Sequence, residues 1–229
     1  CMLMYSYLAH KGLSSRVSLL NDGDDCVLIM DRKDLDAFNE GLDSWFRKVG
    51  ITMTCDGTYW NLEDIEFCQA RPVIIDGKPV LIPRPTKRLY SDLVSTKDLA
   101  SPKVFKKWFG AVAGCGLACS SGVPIFQEYY KWIARGAKPW IPPEGSYYYR
   151  YRYRKIRDLT YRDSRISPST RLSFYFAFGI TPNEQVIIEN YFFDLSPFTW
   201  SKPQPCGSHI LDPAQYLVPP EQGSDEYAQ

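Results

Sequence analysis

The chain has 229 residues, 45% of them hydrophobic, and a formal net charge of +1. That content can bury a sizeable core in one or two packed units, which excludes a disordered protein. The balance of charge gives no global sign of a nucleic-acid partner, yet it is uneven: residues 147–171 carry eight Arg or Lys against two Asp, and residues 211–229 hold four acids and no base.

The opening stretch, Cys1 to His10, reads as the end of a buried helix, and its start at Cys1 is expected of a piece of a longer chain. It has neither the basic start nor the small-residue cleavage site of a signal peptide. Two strand-like apolar runs follow, Arg16-Val17-Ser18-Leu19-Leu20 and Cys26-Val27-Leu28-Ile29-Met30, flanking the acidic turn Asn21-Asp22-Gly23-Asp24-Asp25. Gly23 supplies the positive φ that a tight hairpin turn needs. Several carboxylates on one tip repel one another, and a divalent cation bridging them relieves that repulsion. Asp24 and Asp25 are therefore candidate metal ligands, while Asp22 is equally well read as shaping the turn. An acidic turn with a Gly is also a common solvated loop.

Asp34 is placed to cap a helix whose apolar positions Leu35, Phe38, Leu42, Trp45, Phe46 and Val49 follow helical spacing, with Gly50 ending it. The stretches Ile51–Thr54 and Asp64–Cys68 read as strands. Asp76-Gly77, between Pro72–Ile75 and Lys78–Ile82, predicts a hairpin with a type I′ turn. From Ser91 onward the pattern turns helical, with helices expected over 98–110, 122–136 and 183–193. Pro139, Pro142 and Pro143 interrupt them, and the polar end from Pro219 is expected to be disordered. The longest uncharged run, Phe109 to Gln127, is dense in Gly, Ser and Cys and contains Pro124, which makes it a poor membrane span. Seven Cys, an odd number with no CxxC pair, fit reduced thiols of the cytoplasm. Cys115 and Cys119 can share a helix face, where packing is their default role.

Taken together, Asn21 to Ile29, Glu66-Phe67-Cys68-Gln69 with Pro72-Val73, Gly122-Val123-Pro124 with Tyr129-Tyr130, and Arg171-Leu172-Ser173-Phe174 with Ala177 to Pro182 occur in an order that resembles the C-terminal half of a viral RNA-directed RNA polymerase of the tombusvirus-like positive-strand RNA virus group. The resemblance runs over residues 1–191. It implies an α+β fold, the C-terminal part of a right-hand polymerase, with a partial palm of β-hairpins plus helix over 1–90, a mainly helical thumb over 91–212 and a disordered tail over 213–229. It also implies template-directed nucleotidyl transfer with two Mg²⁺ ions, Mn²⁺ being the alternative, on an RNA template and product strand with nucleoside triphosphates. Other viral replication proteins are implied partners. The implied place of the polymerase is the host cytoplasm, at membrane-associated replication complexes reached through regions outside this piece.

By the same resemblance, Asp24 and Asp25 are the catalytic metal ligands of the palm hairpin, and Cys68 and Gln69 contact the primer strand or the initiating nucleotide. The family's upstream Asp pair and ribose-selecting Ser-Gly motif are absent, so the piece alone is expected to be inactive. Lys48 and Arg47 are not assigned as general acid for pyrophosphate. Arg84, Lys87 and Arg88 are candidate RNA-phosphate contacts, the alternative being a solvated charge run. Arg150, Arg152 and Arg154 alternate with Tyr over 147–154, which as a strand would put guanidinium groups on one side and rings on the other. Trp108, Trp132 and Trp140 are expected in the core, and His10 and His209 are given no role. Two rival readings stay open: a non-catalytic RNA-binding module derived from a polymerase thumb, and a reverse transcriptase.

Overall fold

The computed structural model describes residues 1–94, 99–137 and 163–201. The first core forms around α1 (Met2–His10), which turns Met4, Tyr7 and Leu8 inward. Tyr7 is completely buried, its hydroxyl donating to the Phe38 carbonyl and its ring meeting Trp45 edge-on at 5.4 Å. Around it pack Leu13, Val17, Phe38, Leu42 and Phe46. Each such apolar side chain taken from water contributes about 1.5–3 kcal/mol.

The expected acidic hairpin forms. Strands β1 (Val17–Asp22) and β2 (Asp25–Met30) pair antiparallel with Asp22 opposite Asp25, leaving Gly23 and Asp24 as the turn. The single helix expected after it is two: a 3-10 turn at Arg32–Asp34 leads into α2 (Leu35–Asn39), and α3 (Leu42–Lys48) follows. Gly41, at φ 76°, breaks the chain between them. Asp34 does not cap with its side chain; the carboxylate is buried against Arg16, Nη1 to Oδ1 at 2.6 Å. Gly50 does end α3, because its N–H reaches Arg47 O and that of Ile51 reaches Phe46 O, the paired bonds of a Schellman stop.

Neither Ile51–Thr54 nor Asp64–Cys68 becomes a strand. The first stays irregular, with no ladder partner among the described residues, and the second follows from a 3-10 turn at Leu62–Asp64 and makes only a lone bridge between Phe67 and Ala70. The Asp-Gly hairpin is as expected: β3 (Ala70–Ile75) and β4 (Lys78–Pro83) join through Asp76 at φ 48° and Gly77 at φ 78°.

The second core lies between this hairpin and five helices. These are α4 (Pro85–Leu93), α5 (Pro102–Cys119), α6 (Phe126–Gly136), α7 (Pro168–Phe178) and α8 (Pro182–Asp194). Four of them open on Pro in the first turn, where the missing N–H has no intrahelical partner to lose. Ser101, Ser167 and Thr181 cap three. Val73, Phe109, Ala113, Val123, Tyr129, Ile133 and Phe174 fill the centre, and Trp108 and Trp132 pack against it as expected. On β3, the Ile74 N–H donates to Ser173 Oγ on α7 at 2.8 Å, so the helix satisfies a strand edge.

Helix α5 starts later and runs further than the periodicity predicts, and α6 begins only at Phe126. The delay comes from Ile125, whose φ of 67° and ψ of −53° make a γ-turn closed by Phe126 N–H to Pro124 O at 2.7 Å. No helix among the described residues is long and apolar enough to cross a membrane. Trp140 and the Tyr-Arg run with Arg150, Arg152 and Arg154 lie outside the described residues, as do His209 and the tail.

Candidate active site

The acidic tip is built by its own neighbours. Gly23 takes φ 68° at the first central position of the turn, and the Asn21 amide spans it, Nδ2 donating to Gly23 O at 3.3 Å and Asp25 O at 3.1 Å. From the residue before α1, the Cys1 thiol donates to Asn21 Oδ1 at 2.8 Å. Asp22, Asp24 and Asp25 are all exposed, so their charges stand in water at the end of a braced turn. Below the tip a cleft of about 460 Å³ is lined by Asp24, Asp25, Leu28, Asp56, Trp60 and Glu66. The Arg32 guanidinium sits over the Trp60 ring, 4.9 Å from its centroid.

A second turn approaches the tip. Phe67 and Ala70 exchange backbone bonds of 2.9 and 3.0 Å, and between them Cys68 and Gln69 adopt φ 51° and 60°. Two positive φ values define the I′ geometry, which Asn-Gly fills without strain. Here neither residue is Gly, and each position costs about 1–2 kcal/mol relative to a residue that accepts the left-handed region. The Cys68 thiol donates to Asp22 Oδ2 at 3.7 Å. Partial desolvation and the neighbouring Asp22 and Asp25 carboxylates push this thiol's pKa up, so it stays protonated.

Behind this turn stands the start of α4. Glu66 accepts from Arg84 and, at 3.7 Å, faces Arg71 Nε, while Lys87 Nζ donates to Gln69 Oε1. Arg88 turns the other way: its Nε meets Asp92 Oδ2 at 3.1 Å and Tyr130 OH at 3.5 Å. The Tyr130 hydroxyl, its pKa raised by burial and then by Asp92, remains protonated and donates to that carboxylate at 2.5 Å. Tyr129 OH adds a bond to Leu89 O at 2.8 Å.

The family model for viral RNA dependent RNA polymerase matches residues 1–198. The chain belongs to that family. It is 31% identical over 210 residues to the RNA-directed RNA polymerase of oat chlorotic stunt virus (isolate United Kingdom), covering 84% of this chain and 27% of the relative. It is 33% identical over 209 residues to that of turnip crinkle virus, covering 85% and 26%. To that of red clover necrotic mosaic virus it is 34% identical over 198 residues, covering 84% and 25%. The chain thus spans about a quarter of the length of the curated relatives it matches.

Within this member of the viral polymerase family, the acidic tip and the Cys68-Gln69 turn come together although 46 residues separate Asp22 from Cys68. Arg84 and Lys87 are bound to that second turn, and Arg88 is bound into the α4–α6 junction. Among the described residues no group of three or more His, Cys, Asp or Glu surrounds a metal position, and the six described cysteines are free thiols. The tip's donors are exposed carboxylate oxygens, a hard donor set that fits a divalent cation.

Three contributors escaped the sequence reading. Asn21 stands in the acidic turn, and an Asn two residues before a turn Gly is a backbone-bonding signal. Glu66 has no local signal for its partners, which lie 18 residues away at Arg84 and closer at Arg71. Asp92 carried no pattern at all.

Proposed function

We propose that this chain is the part of a viral RNA-directed RNA polymerase that carries the metal-binding acidic hairpin and the strand-contacting turn, with the partial palm over 1–90 and the thumb over 91–212. The reaction is attack of a 3′-hydroxyl on the α-phosphate of a nucleoside triphosphate, directed by an RNA template. Asp24 and Asp25 would hold Mg²⁺, with Mn²⁺ as the alternative. When bound there, the cation neutralises charge developing on the phosphate oxygens. Asn21 keeps the two carboxylates at a fixed height by tying the turn's carbonyls. Asp22 orients the second turn through the Cys68 thiol. That turn presents Gln69, whose carbonyl oxygen is taken by Lys87, so its amide N–H groups are the side turned toward an incoming strand, where phosphate or ribose oxygens accept.

The observation that carries this reading is the Cys68–Asp22 contact, because it joins two segments that the sequence marks separately. The test is RNA-templated incorporation of NTP by the complete polymerase chain with Asp24 intact and with Asp24→Ala. Incorporation falling to background in the variant is the expected result. Unchanged incorporation would remove Asp24 from the site, and a preference for dNTP over NTP would turn the reading toward a reverse transcriptase.

A further inference from the structure

The cations at the start of α4 are exposed, yet each is bonded to the second turn. Arg84 is spent on Glu66, and Lys87 on Gln69; each bond spans 18 residues and each ties the same helix end to the same turn. Arg71, on β3, also faces Glu66, and its Nη1 is fixed on Ala177 O at 2.9 Å. The far side of α4 is fastened to α6 through Arg88, Asp92, Tyr130 and the Tyr129–Leu89 bond. The turn between Glu66 and Arg71 needs such support, because Cys68 and Gln69 both hold positive φ without a glycine, and strained backbone of this kind persists only where its surroundings over-determine it.

We propose that the first turn of α4 is a brace: the Arg84–Glu66 ion pair and the Lys87–Gln69 hydrogen bond hold the strained turn at its height against the acidic tip. Glu66, Arg84 and Lys87 are then positioning residues that act through Cys68 and Gln69, and the helix α6 is linked to the reacting end through α4. This rests on the polymerase reading above. A displaced turn shifts the strand it contacts, and small misplacements of reacting groups lower the chemical step more than they lower binding. An arginine that holds RNA phosphate does the opposite: its loss weakens binding.

The experiment is a double-mutant cycle on the complete polymerase chain, Glu66→Gln, Arg84→Gln and both together, with Lys87→Met as a second, independent cut of the brace. Steady-state kcat and KM for RNA are measured together with hydrogen exchange at the Phe67 and Ala70 amides. The brace requires each single variant to lower kcat about tenfold with KM for RNA nearly unchanged, and the double variant to be no worse than the poorer single one. It also requires faster amide exchange in all of them. A rise in KM for RNA with Arg84→Gln but not with Glu66→Gln, effects that multiply in the double variant, or unchanged exchange would each overturn it. If Asp24→Ala keeps full activity, the polymerase reading fails instead, and exchange at Phe67 and Ala70 decides the brace alone.

Discussion

Arg171 on α7 and Glu189 on α8 meet side-on, Nη1 to Oε1 at 3.0 Å and Nη2 to Oε2 at 2.8 Å, and the same Oε1 accepts the N–H of Ile125 at 2.9 Å. A β-branched residue at φ 67° is held by a carboxylate that is itself neutralised by a partly buried guanidinium. Arg171→Met leaves that carboxylate nearly buried and unpaired, and is expected to cost about 3 kcal/mol. Adding Glu189→Gln should recover part of the loss, since the amide oxygen still accepts from Ile125. Thermal unfolding of the two variants checks this; no recovery would mean that Glu189 serves Arg171 alone.

Gly116 on α5 lies under the Tyr130 ring, where an added Cβ would fall 2.0 Å from Tyr130 Cδ1. Alanine is the better helix former by about 1 kcal/mol. The clash is with a ring fixed by Asp92 and Arg88, so it cannot swing away cheaply. Gly116→Ala is expected to destabilise by about 2–3 kcal/mol, against its propensity, and a raised melting temperature would contradict the packing described.

Thr181 and Glu184 form a capping box at the start of α8, with the Thr181 hydroxyl and N–H donating to Glu184 Oε2 at 2.7 and 2.8 Å. These two bonds from Thr181, the side-chain one first, hold the Glu184 carboxyl below its ordinary pKa. A folded-state pKa that is depressed contributes stability above the unfolded value, about 4.3, and loses it as pH falls through the folded value. Stability curves of the native chain and Glu184→Gln should therefore stand apart at neutral pH and converge in acid. A constant gap would show that the cap works without its charge. Thr181→Ala, which removes the hydroxyl that donates to the carboxylate and accepts the Glu184 N–H at 3.3 Å but leaves the backbone N–H bond, is expected to cost about 1 kcal/mol.

Cys68 at φ 51° offers a test of strain. Asparagine tolerates the left-handed region, so Cys68→Asn should raise stability by about 0.5–1 kcal/mol, whereas Cys68→Val, branched at Cβ, should lower it by about 2 kcal/mol. Calorimetry on the pair reads the sign directly. Two variants of equal stability would mean that the turn relaxes on substitution.

Both hairpins were legible because Gly23 and Asp76-Gly77 announce positive φ, and α8 because its apolar spacing is bounded by Pro182. The break at Gly41 was hidden, since the apolar positions continue across it in helical spacing. Helix α4 was hidden by Pro83-Arg84-Pro85, which reads as extended chain, although Pro85 occupies a first-turn position that favours a helix start. Ser167-Pro168 carried the same signal for α7. At the site, the acidic tip could be found from its own residues, but the Cys68-Gln69 turn could not: Cys-Gln is no turn dipeptide, and only its likeness to a polymerase motif marked it. The bonds that place it, from Arg84, Lys87 and Asp22, join positions with no periodic relation, and such pairs are fixed by the fold rather than by local pattern.

The two hydrophobic cores have no residue in common, one gathered around Tyr7 and Phe46 and the other around Phe109 and Tyr129. Denaturation of this chain is therefore expected to proceed in more than one cooperative step, with no single midpoint describing it. Trp45 packs against the first core and Trp108 and Trp132 against the second, so fluorescence from single-tryptophan variants should report different midpoints. The Asp22–Cys68 contact spans the seam between the two units, and so the approach of the two turns survives only as long as the weaker of them does.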